Sequence, residues 1–220
     1  MEQFFSIGPI NLPIKFIYIG FAILAAYFAM KFRLKTSNYH SKQLIDTIFN
    51  GVIIGWVVWK LSYVLFHPVY AFTNPLGILY FDGGRKGIIL ALVLGFIYLY
   101  FKSYKQKVSI IVYIDLFSTG LFTGTIVFYF YQVSMNVIYH IGQIGLAFLL
   151  LLAIFNYVKE VGSWKRLSTI ILLYSLGQIF VQYFSNHYLV FFHLTLGQVI
   201  FCIVILITLA LQNKGGETHR

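Results

Sequence analysis

The fold is decided by stretches such as Ile138–Val158, which reads IYHIGQIGLAFLLLLAIFNYV and contains no Lys, Arg, Asp or Glu. A helix of roughly 20 mostly apolar residues crosses a bilayer core of about 30 Å, so this stretch is long enough to span a membrane. Six others resemble it: Ile14–Phe32, Leu44–Phe66, Gly87–Phe101, Val108–Tyr131, Leu167–Phe184 and Leu194–Leu211. The sequence therefore predicts an all-α polytopic membrane protein with seven transmembrane helices, in a single domain covering residues 1–220.

The composition excludes a soluble enzyme. Of the 220 residues 60% are hydrophobic and 10% are charged, and the mean hydropathy is +0.82. The net charge of +10 reflects a scarcity of acids, six against 16 Lys and Arg, and not a dense basic face, so no nucleic-acid partner is expected. Cys202 is the single cysteine, which rules out a disulfide framework and a cysteine-rich metal site. We expect neither a metal nor a cofactor.

Loop cations predict the orientation. Met1–Leu12 contains Glu2 and no Lys or Arg, so we expect the first apolar stretch to stay uncleaved. Successive connections between spans lie on alternate faces of the membrane. The connections on one face contain two cations, Arg85 and Lys86, in the loop before span three. Those on the other face and the C-terminal tail contain 12: Lys31, Arg33, Lys35, Lys42, Lys102, Lys105, Lys107, Lys159, Lys165, Arg166, Lys214 and Arg220. Because cytoplasmic loops are enriched in Lys and Arg, the N-terminus is predicted outside and the C-terminus in the cytoplasm. The segment between residues 67 and 86, with Pro68 and Gly83-Gly84, is predicted to interrupt the helices before a short third span.

Polar residues concentrate in the predicted outer half of the membrane. Lys15, Lys60, Arg85 and Lys86 have Asp82 as their only nearby acid. Together they would suit a phosphate-bearing lipid of the outer leaflet, although each alone could simply extend to the membrane surface. Several neutral polar residues are predicted at a similar depth: Tyr129, Gln132, His140, Gln178, Gln182, His187 and His193.

Three of these neutral residues are predicted to lie near one another in the protein interior. His140 opens span five from outside, and Gln178 and Gln182 lie four residues apart on span six, so we predict that His140 and Gln182 face the same interior cavity. These groups would either take part in chemistry or hydrogen-bond between helices. On the inner side, Asp46 and Asp115 are predicted to pair with Lys42 or Lys107 or to cap helices. The glycine pairs Gly51/Gly55 and Gly120/Gly124 predict close helix packing.

Short motifs in a fixed order give the sequence a family resemblance. They are Ile7-Gly8-Pro9, Asp46, Tyr63–Phe66, Asn74-Pro75-Leu76, Gly83-Gly84, Asp115 with Gly124, Tyr139, Leu173–Phe184 and Leu194–Gln198. In this order and spacing the chain resembles bacterial prolipoprotein diacylglyceryl transferase, a seven-span plasma-membrane enzyme with its N-terminus outside. The resemblance implies transfer of a diacylglyceryl group from phosphatidylglycerol to the cysteine of a lipoprotein precursor, with release of glycerol phosphate.

The chain departs from the family pattern where that chemistry is expected. The Gly-Gly segment Phe81–Lys86 contains no histidine, whereas the family has His-Gly-Gly. Tyr129–Met135 stands where the family has Arg-x-Gly-Asn-Phe-x-Asn. Gln178 and Gln182 replace an arginine and a glutamate, and Ser185 a further arginine. The Tyr-Glu of span five is Tyr139-His140 here.

Two hypotheses follow. The first is a diverged diacylglyceryl transferase, with His140 and Tyr139 as candidate catalytic residues and Lys60, Arg85, Lys86, Gln178 and Gln182 as lipid-binding residues. Its partners would be an outer-leaflet phospholipid and a lipoprotein precursor, at a bacterial plasma membrane. The alternative is a non-catalytic membrane protein of the same fold that binds a lipid or a protein partner, since neutral amides satisfy buried hydrogen bonds but stabilise phosphate weakly.

Overall fold

The structure is a computed structural model that describes residues 4–7, 10–35, 37, 39, 41–74, 81–132, 136–156, 160–185, 189–191 and 193–217. Gly8-Pro9, Pro75-Leu76, Val133–Met135, His187 and Arg220, all used above, lie outside the described residues. The helices are α1 (Ile14–Leu34), α2 (Ser41–Phe66), α3 (Pro68–Thr73), α4 (Gly84–Gln106), α5 (Ile110–Gln132), α6 (Val137–Asn156), α7 (Trp164–Gln182) and α8 (Leu196–Glu217). The strands are β1 (Phe4–Ile7), β2 (Ile10–Pro13), β3 (Leu189–Phe191) and β4 (Leu194–Thr195).

The protein is predominantly helical, as the apolar stretches predict. Each of the seven predicted spans overlaps one long helix. Among the described residues, five helices are long and apolar enough to cross a membrane, in the segments Ile17–Leu34, Lys42–Phe66, Gly84–Gln106, Ile110–Gln132 and Val137–Asn156. Of the remaining two, Leu196–Gln212 is a shorter apolar helix and α7 is the less apolar Trp164–Gln182. The number of helices that cross the membrane and the sidedness of the termini remain predictions.

Three local features differ from the sequence prediction. The predicted break between residues 67 and 86 contains α3, because Pro68 occupies the first helical turn, where its missing N–H costs nothing. The third predicted span is not short, since α4 begins at Gly84. Gly84 adopts φ +57°, which favours glycine, and donates its N–H to the Asp82 carboxylate at 2.8 Å. Two short antiparallel hairpins, β1–β2 and β3–β4, precede α1 and α8.

By its contacts the chain divides into two compact units, Tyr39–Tyr113 and the combination of Met1–Asn38 with Ile114–Arg220. The smaller unit is built on α2 and α4. Gly51 and Gly95 allow the two helices to approach closely: a Cβ on Gly95 would lie 3.6 Å from the Gly51 carbonyl oxygen. Close packing at Gly51, predicted from its spacing to Gly55, is thereby confirmed.

The larger unit contains α1 and α5 to α8, with a core of Phe122, Ala147, Leu150, Ile154 and Ile170. Gly120 and Gly124 of α5 face α1, as the second glycine pair predicts. A Cβ on Gly120 would meet Met30 at 3.3 Å. Large apolar side chains cover the outer faces of the long helices, for example Phe28 and Leu149. Such faces suit a lipid environment, where the backbone polar groups are satisfied within each helix.

Candidate functional site

His140 lies in the first turn of α6 among aromatic rings. Asn136 orders this turn, because its Oδ1 accepts the Tyr139 N–H at 3.3 Å and its backbone carbonyl accepts the His140 N–H at 3.0 Å. The imidazole is buried. Its ring centroid lies 5.2 Å from that of Tyr129 and 5.3 Å from that of Tyr139. We call His140, Tyr129 and Tyr139 the aromatic cluster.

The imidazole of His140 has one unsatisfied nitrogen. Its Nδ1 is buried and has no hydrogen-bond partner among the described residues. A buried polar atom without a partner costs free energy, so such atoms often mark positions where a ligand or a reacting group binds. Imidazole is also the side chain best suited to exchange a proton near neutral pH. The cluster can therefore accept a hydrogen bond or a proton from a bound molecule.

One turn further along α6, two glutamine side chains satisfy each other. Gln143 Nε2 donates to Gln178 Oε1 at 3.0 Å, and Gln178 Nε2 donates to Gln143 Oε1 at 2.8 Å. Both side chains are buried. Sequence reasoning missed Gln143, although its position three residues after His140 places it on the same side of a helix. The pair joins α6 to α7 through a neutral contact.

Gln182 packs against the segment that leads into α8. Its Oε1 accepts the Thr195 hydroxyl at 3.1 Å, and a Cβ on Gly197 would collide with the Gln182 amide. Gln198 closes the same junction, because its Nε2 donates to the Ile179 carbonyl at 3.0 Å and its Oε1 accepts the Thr195 N–H at 2.8 Å. Gln182 is half-buried, and no described contact joins it to His140. That these two residues share a cavity stays a prediction.

Ser175 is a second buried group without a partner. Its hydroxyl is fully buried, and its Oγ has no hydrogen-bond partner within the part of the chain that the structure describes. It lies three residues before Gln178 on α7, so the two share a helix face. Within the described residues of α6 and α7, two helices that pack together, His140 and Ser175 each have a buried polar atom without a partner.

The predicted lipid-binding cations lie in the smaller unit. The start of α4 is fixed beside α2 by the Gly83 N–H, which donates to the Trp59 carbonyl at 3.1 Å. Lys60 follows Trp59 and is half-buried, whereas Arg85 and Lys86 are exposed in the first turn of α4. The structure thus brings these three cations to one end of the α2–α4 pair. The other unit contains Gln178, Gln182, His140 and Tyr139.

Asp115 pairs with Arg33, and the predicted pairing with Lys107 is wrong. The Arg33 guanidinium contacts the Asp115 carboxylate at 3.2 Å and donates to the Ile154 carbonyl at 3.3 Å. The Gly162 N–H donates to the same carboxylate at 3.0 Å. Both charged side chains are buried. The position of Arg33 in the last turn of α1 made it a possible partner of Asp115. Lys107 is closer to Asp115 in the sequence and was therefore the predicted partner. Asp46 is exposed on α2.

A metal centre has no support in the described residues, where no three His, Cys, Asp or Glu side chains are grouped to hold an ion. Because a single imidazole is a poor metal site, the aromatic cluster is better suited to an organic ligand than to a metal.

Comparison with known proteins shows that the chain matches the model of a known protein family. The family model described as "Prolipoprotein diacylglyceryl transferase" matches residues 2–128. This match contains Lys60, Arg85 and Lys86 but ends before Tyr139, His140, Gln178 and Gln182.

Among the relatives that carry the name phosphatidylglycerol–prolipoprotein diacylglyceryl transferase are three staphylococcal proteins. That of Staphylococcus haemolyticus is 34% identical over 93 residues, which are 42% of this chain and 33% of that protein. The Staphylococcus saprophyticus protein is 31% identical over 97 residues, 42% of this chain and 35% of that protein. The Staphylococcus xylosus protein is 32% identical over 93 residues, 42% and 34%. The matches span about a third of these relatives. With its five apolar helices, the chain is a multi-pass bacterial membrane protein.

Proposed function

The chain belongs to the prolipoprotein diacylglyceryl transferase family, and from this premise we propose that it transfers a diacylglyceryl group from phosphatidylglycerol to the cysteine of a lipoprotein precursor. In this proposal the seven long helices α1, α2 and α4 to α8 all cross the membrane, with the N-terminus outside and the C-terminus in the cytoplasm. The lipid comes from the outer leaflet, where Lys60, Arg85 and Lys86 then lie.

The observation that carries the proposal is the unsatisfied, buried Nδ1 of His140. A thiol attacks only after it loses its proton, so the reaction needs a base near the acceptor cysteine. The lone pair of a neutral imidazole supplies that base. Tyr129 and Tyr139 pack on the ring of His140 and restrict its orientation.

The proposed reaction is a displacement. The acceptor thiolate forms a bond to the terminal glyceryl carbon of the diacylglyceryl group, while the bond from that carbon to the phosphate oxygen breaks. Glycerol phosphate leaves with the electron pair, and the thiol proton remains on His140 until it is passed to water or to the leaving phosphate. Lys60, Arg85 and Lys86 belong to the smaller unit, and the role we assign to them is binding of the anionic lipid headgroup through charge-assisted hydrogen bonds.

Lipid or partner binding without transfer is the second candidate, and the Gln143–Gln178 pair favours it. These amides satisfy each other in two reciprocal hydrogen bonds. They are neutral and therefore supply no charge to a leaving phosphate, and each uses one of its two N–H donors on the other amide. A protein of this kind would bind the lipid through the cations of the smaller unit, and His140 would contribute to packing alone.

Complementation separates the two candidates. The chain, His140→Ala and a matched control, His193→Ala at an exposed position directly before β4, are expressed in a bacterium depleted of its own transferase. Transfer predicts rescue by the chain and by His193→Ala, and failure of His140→Ala at equal membrane abundance. Thioether-linked lipid on a lipoprotein cysteine is detected by mass spectrometry. A well-expressed chain that neither rescues nor yields this product favours lipid or partner binding without transfer.

A further inference from the structure

An open apolar groove follows α2 at the end that carries the cations. It has a volume of about 470 Å³ and is lined by Leu61, Val64, Leu65 and Pro68. The first three are spaced three and four residues apart, so they form one stripe over a single turn of α2, and Pro68 begins α3. Leu61 and Leu65 are exposed by 54% and 67% of their surface. The apolar lining and the volume of the groove suit a segment of a flexible hydrocarbon chain.

Positive charge lies at the rim of this groove. The Lys86 ammonium is 5.9 Å from the centre of the Phe66 ring, the residue directly after Leu65. Arg85 precedes Lys86 and is also exposed. The neighbouring acid, Asp82, uses one carboxylate oxygen to accept the Gly84 N–H. An apolar groove with two cations at its rim is complementary to a molecule with a hydrocarbon chain and an anionic head.

The short helix α3 is suited to the boundary between hydrocarbon and water. Val69, Tyr70 and Phe72 expose 67–80% of their surface, whereas Ala71 is buried. Aromatic side chains, tyrosine above all, prefer the level of the lipid headgroups. With α3 at the level of the lipid headgroups, the groove extends from that level into the hydrocarbon. Arg85 and Lys86 then lie at the depth of the lipid phosphates.

We propose that this groove holds one acyl chain of an anionic phospholipid whose phosphate is bound by Lys86 and Arg85. The identification of the lipid as phosphatidylglycerol rests on the proposed function, whereas the site itself rests on the groove and its charged rim. A zwitterionic lipid fills the groove equally well, but its amine is repelled by the two cations, so the site selects by headgroup charge. A water-soluble glycerophosphate lacks the chain and binds weakly.

Photocrosslinking in nanodiscs tests the site. The full chain is reconstituted in phosphatidylcholine with a trace of phosphatidylglycerol or phosphatidylethanolamine that carries a diazirine on one acyl chain, and crosslinked residues are mapped by mass spectrometry. We expect the phosphatidylglycerol probe to label residues 61–68 and unlabelled phosphatidylglycerol to compete for this labelling. Val64→Trp fills the groove and should abolish labelling there. Val93→Trp, at a half-exposed position of α4 outside the groove lining, should leave it unchanged.

The charged rim is tested with Arg85→Gln/Lys86→Gln, which keeps the groove and removes both cations. Loss of one charge-assisted contact lowers affinity about tenfold or more, so the concentration of competitor needed should rise at least by that factor. Equal labelling by the two probes in the unaltered chain would identify ordinary annular lipid and overturn the proposal. Labelling at residues 61–68 in a chain without transferase activity would leave the site standing and remove the proposed function. Transfer activity with labelling elsewhere would do the reverse.

Discussion

At the scale of single residues, the Arg33–Asp115 pair is the feature most sensitive to mutation. Both side chains are buried, and Asp115 also accepts the Gly162 N–H. Removal of one partner from a buried ion pair leaves an uncompensated charge, which costs about 3–5 kcal/mol. We therefore predict that Asp115→Asn, which keeps the size of the side chain, lowers the unfolding midpoint strongly. The midpoint is measured by circular dichroism during heating in one detergent.

Two variants control this prediction. Asp46→Asn removes an exposed carboxylate of α2 and should change the midpoint little. The double variant Arg33→Leu/Asp115→Leu removes both charges and should recover most of the loss, because apolar residues can replace a buried ion pair at small cost. An Asp115→Asn variant that unfolds at the same temperature as the unaltered chain would show that the buried Arg33–Asp115 ion pair does not stabilise the folded protein.

The Gln143–Gln178 pair allows a second test at this scale. Gln178→Leu leaves the Gln143 amide buried without its partner and should lower the free energy of unfolding by about 1–3 kcal/mol. Gln143→Leu/Gln178→Leu should be more stable than either single variant, since it leaves no unpaired amide. The coupling energy is obtained from a double-mutant cycle and should exceed the loss measured for either single variant. Additive losses in the cycle would contradict the reciprocal pair.

At the scale of elements, the α2–α4 contact depends on glycine. A Cβ on Gly51 would already lie 3.3 Å from the Leu99 side chain, so a larger side chain must push the helices apart. We predict that Gly51→Leu destabilises the protein by about 1–3 kcal/mol through overpacking. Gly20→Leu on α1 is the control, because a Cβ there has nothing within 4 Å. Equal thermal stability of the two variants would show that the helices do not approach closely at Gly51.

The helices were predictable from sequence because apolar length is a strong signal, whereas their ends and partners depend on single contacts. The start of α4 at Gly84 rests on φ +57° and one bond to Asp82, and neither appears as an apolar pattern. The partner of Asp115 is 82 residues away, beyond any local rule. The polar residues of the site were found by their depth in the predicted spans. Depth does not reveal that Gln178 contacts Gln143 or that Gln182 contacts Thr195.

At the scale of the whole molecule, the candidate residues belong to two different units. The cations occupy the smaller unit, Tyr39–Tyr113, and the aromatic cluster occupies the larger one. The family match ends at residue 128, so it covers the smaller unit completely and stops short of His140. The lipid-binding half of the proposal therefore lies within the matched segment, whereas the half that supplies the base lies in the part of the chain beyond it. Function can accordingly be tested in each half separately.

Membrane topology can be tested in both units. We predict that the two ends of α4 lie at opposite faces of the membrane, and that the same holds for α7. In a Cys202→Ser background, single cysteines replace the exposed residues Phe81 and Tyr183 on the predicted outer side, or Ser109 and Lys165 on the predicted inner side. A membrane-impermeant maleimide should label the first two in intact cells and the last two only after permeabilisation, because the 12 cations of the predicted inner connections favour the cytoplasm. Phe81 and Ser109 belong to the smaller unit and Tyr183 and Lys165 to the larger one, so each unit reports its own orientation. The reverse pattern at all four positions would place Lys60, Arg85 and Lys86 in the cytoplasmic leaflet and remove the outer-leaflet lipid as their ligand. Opposite answers from the two units would instead disprove the count of seven spans.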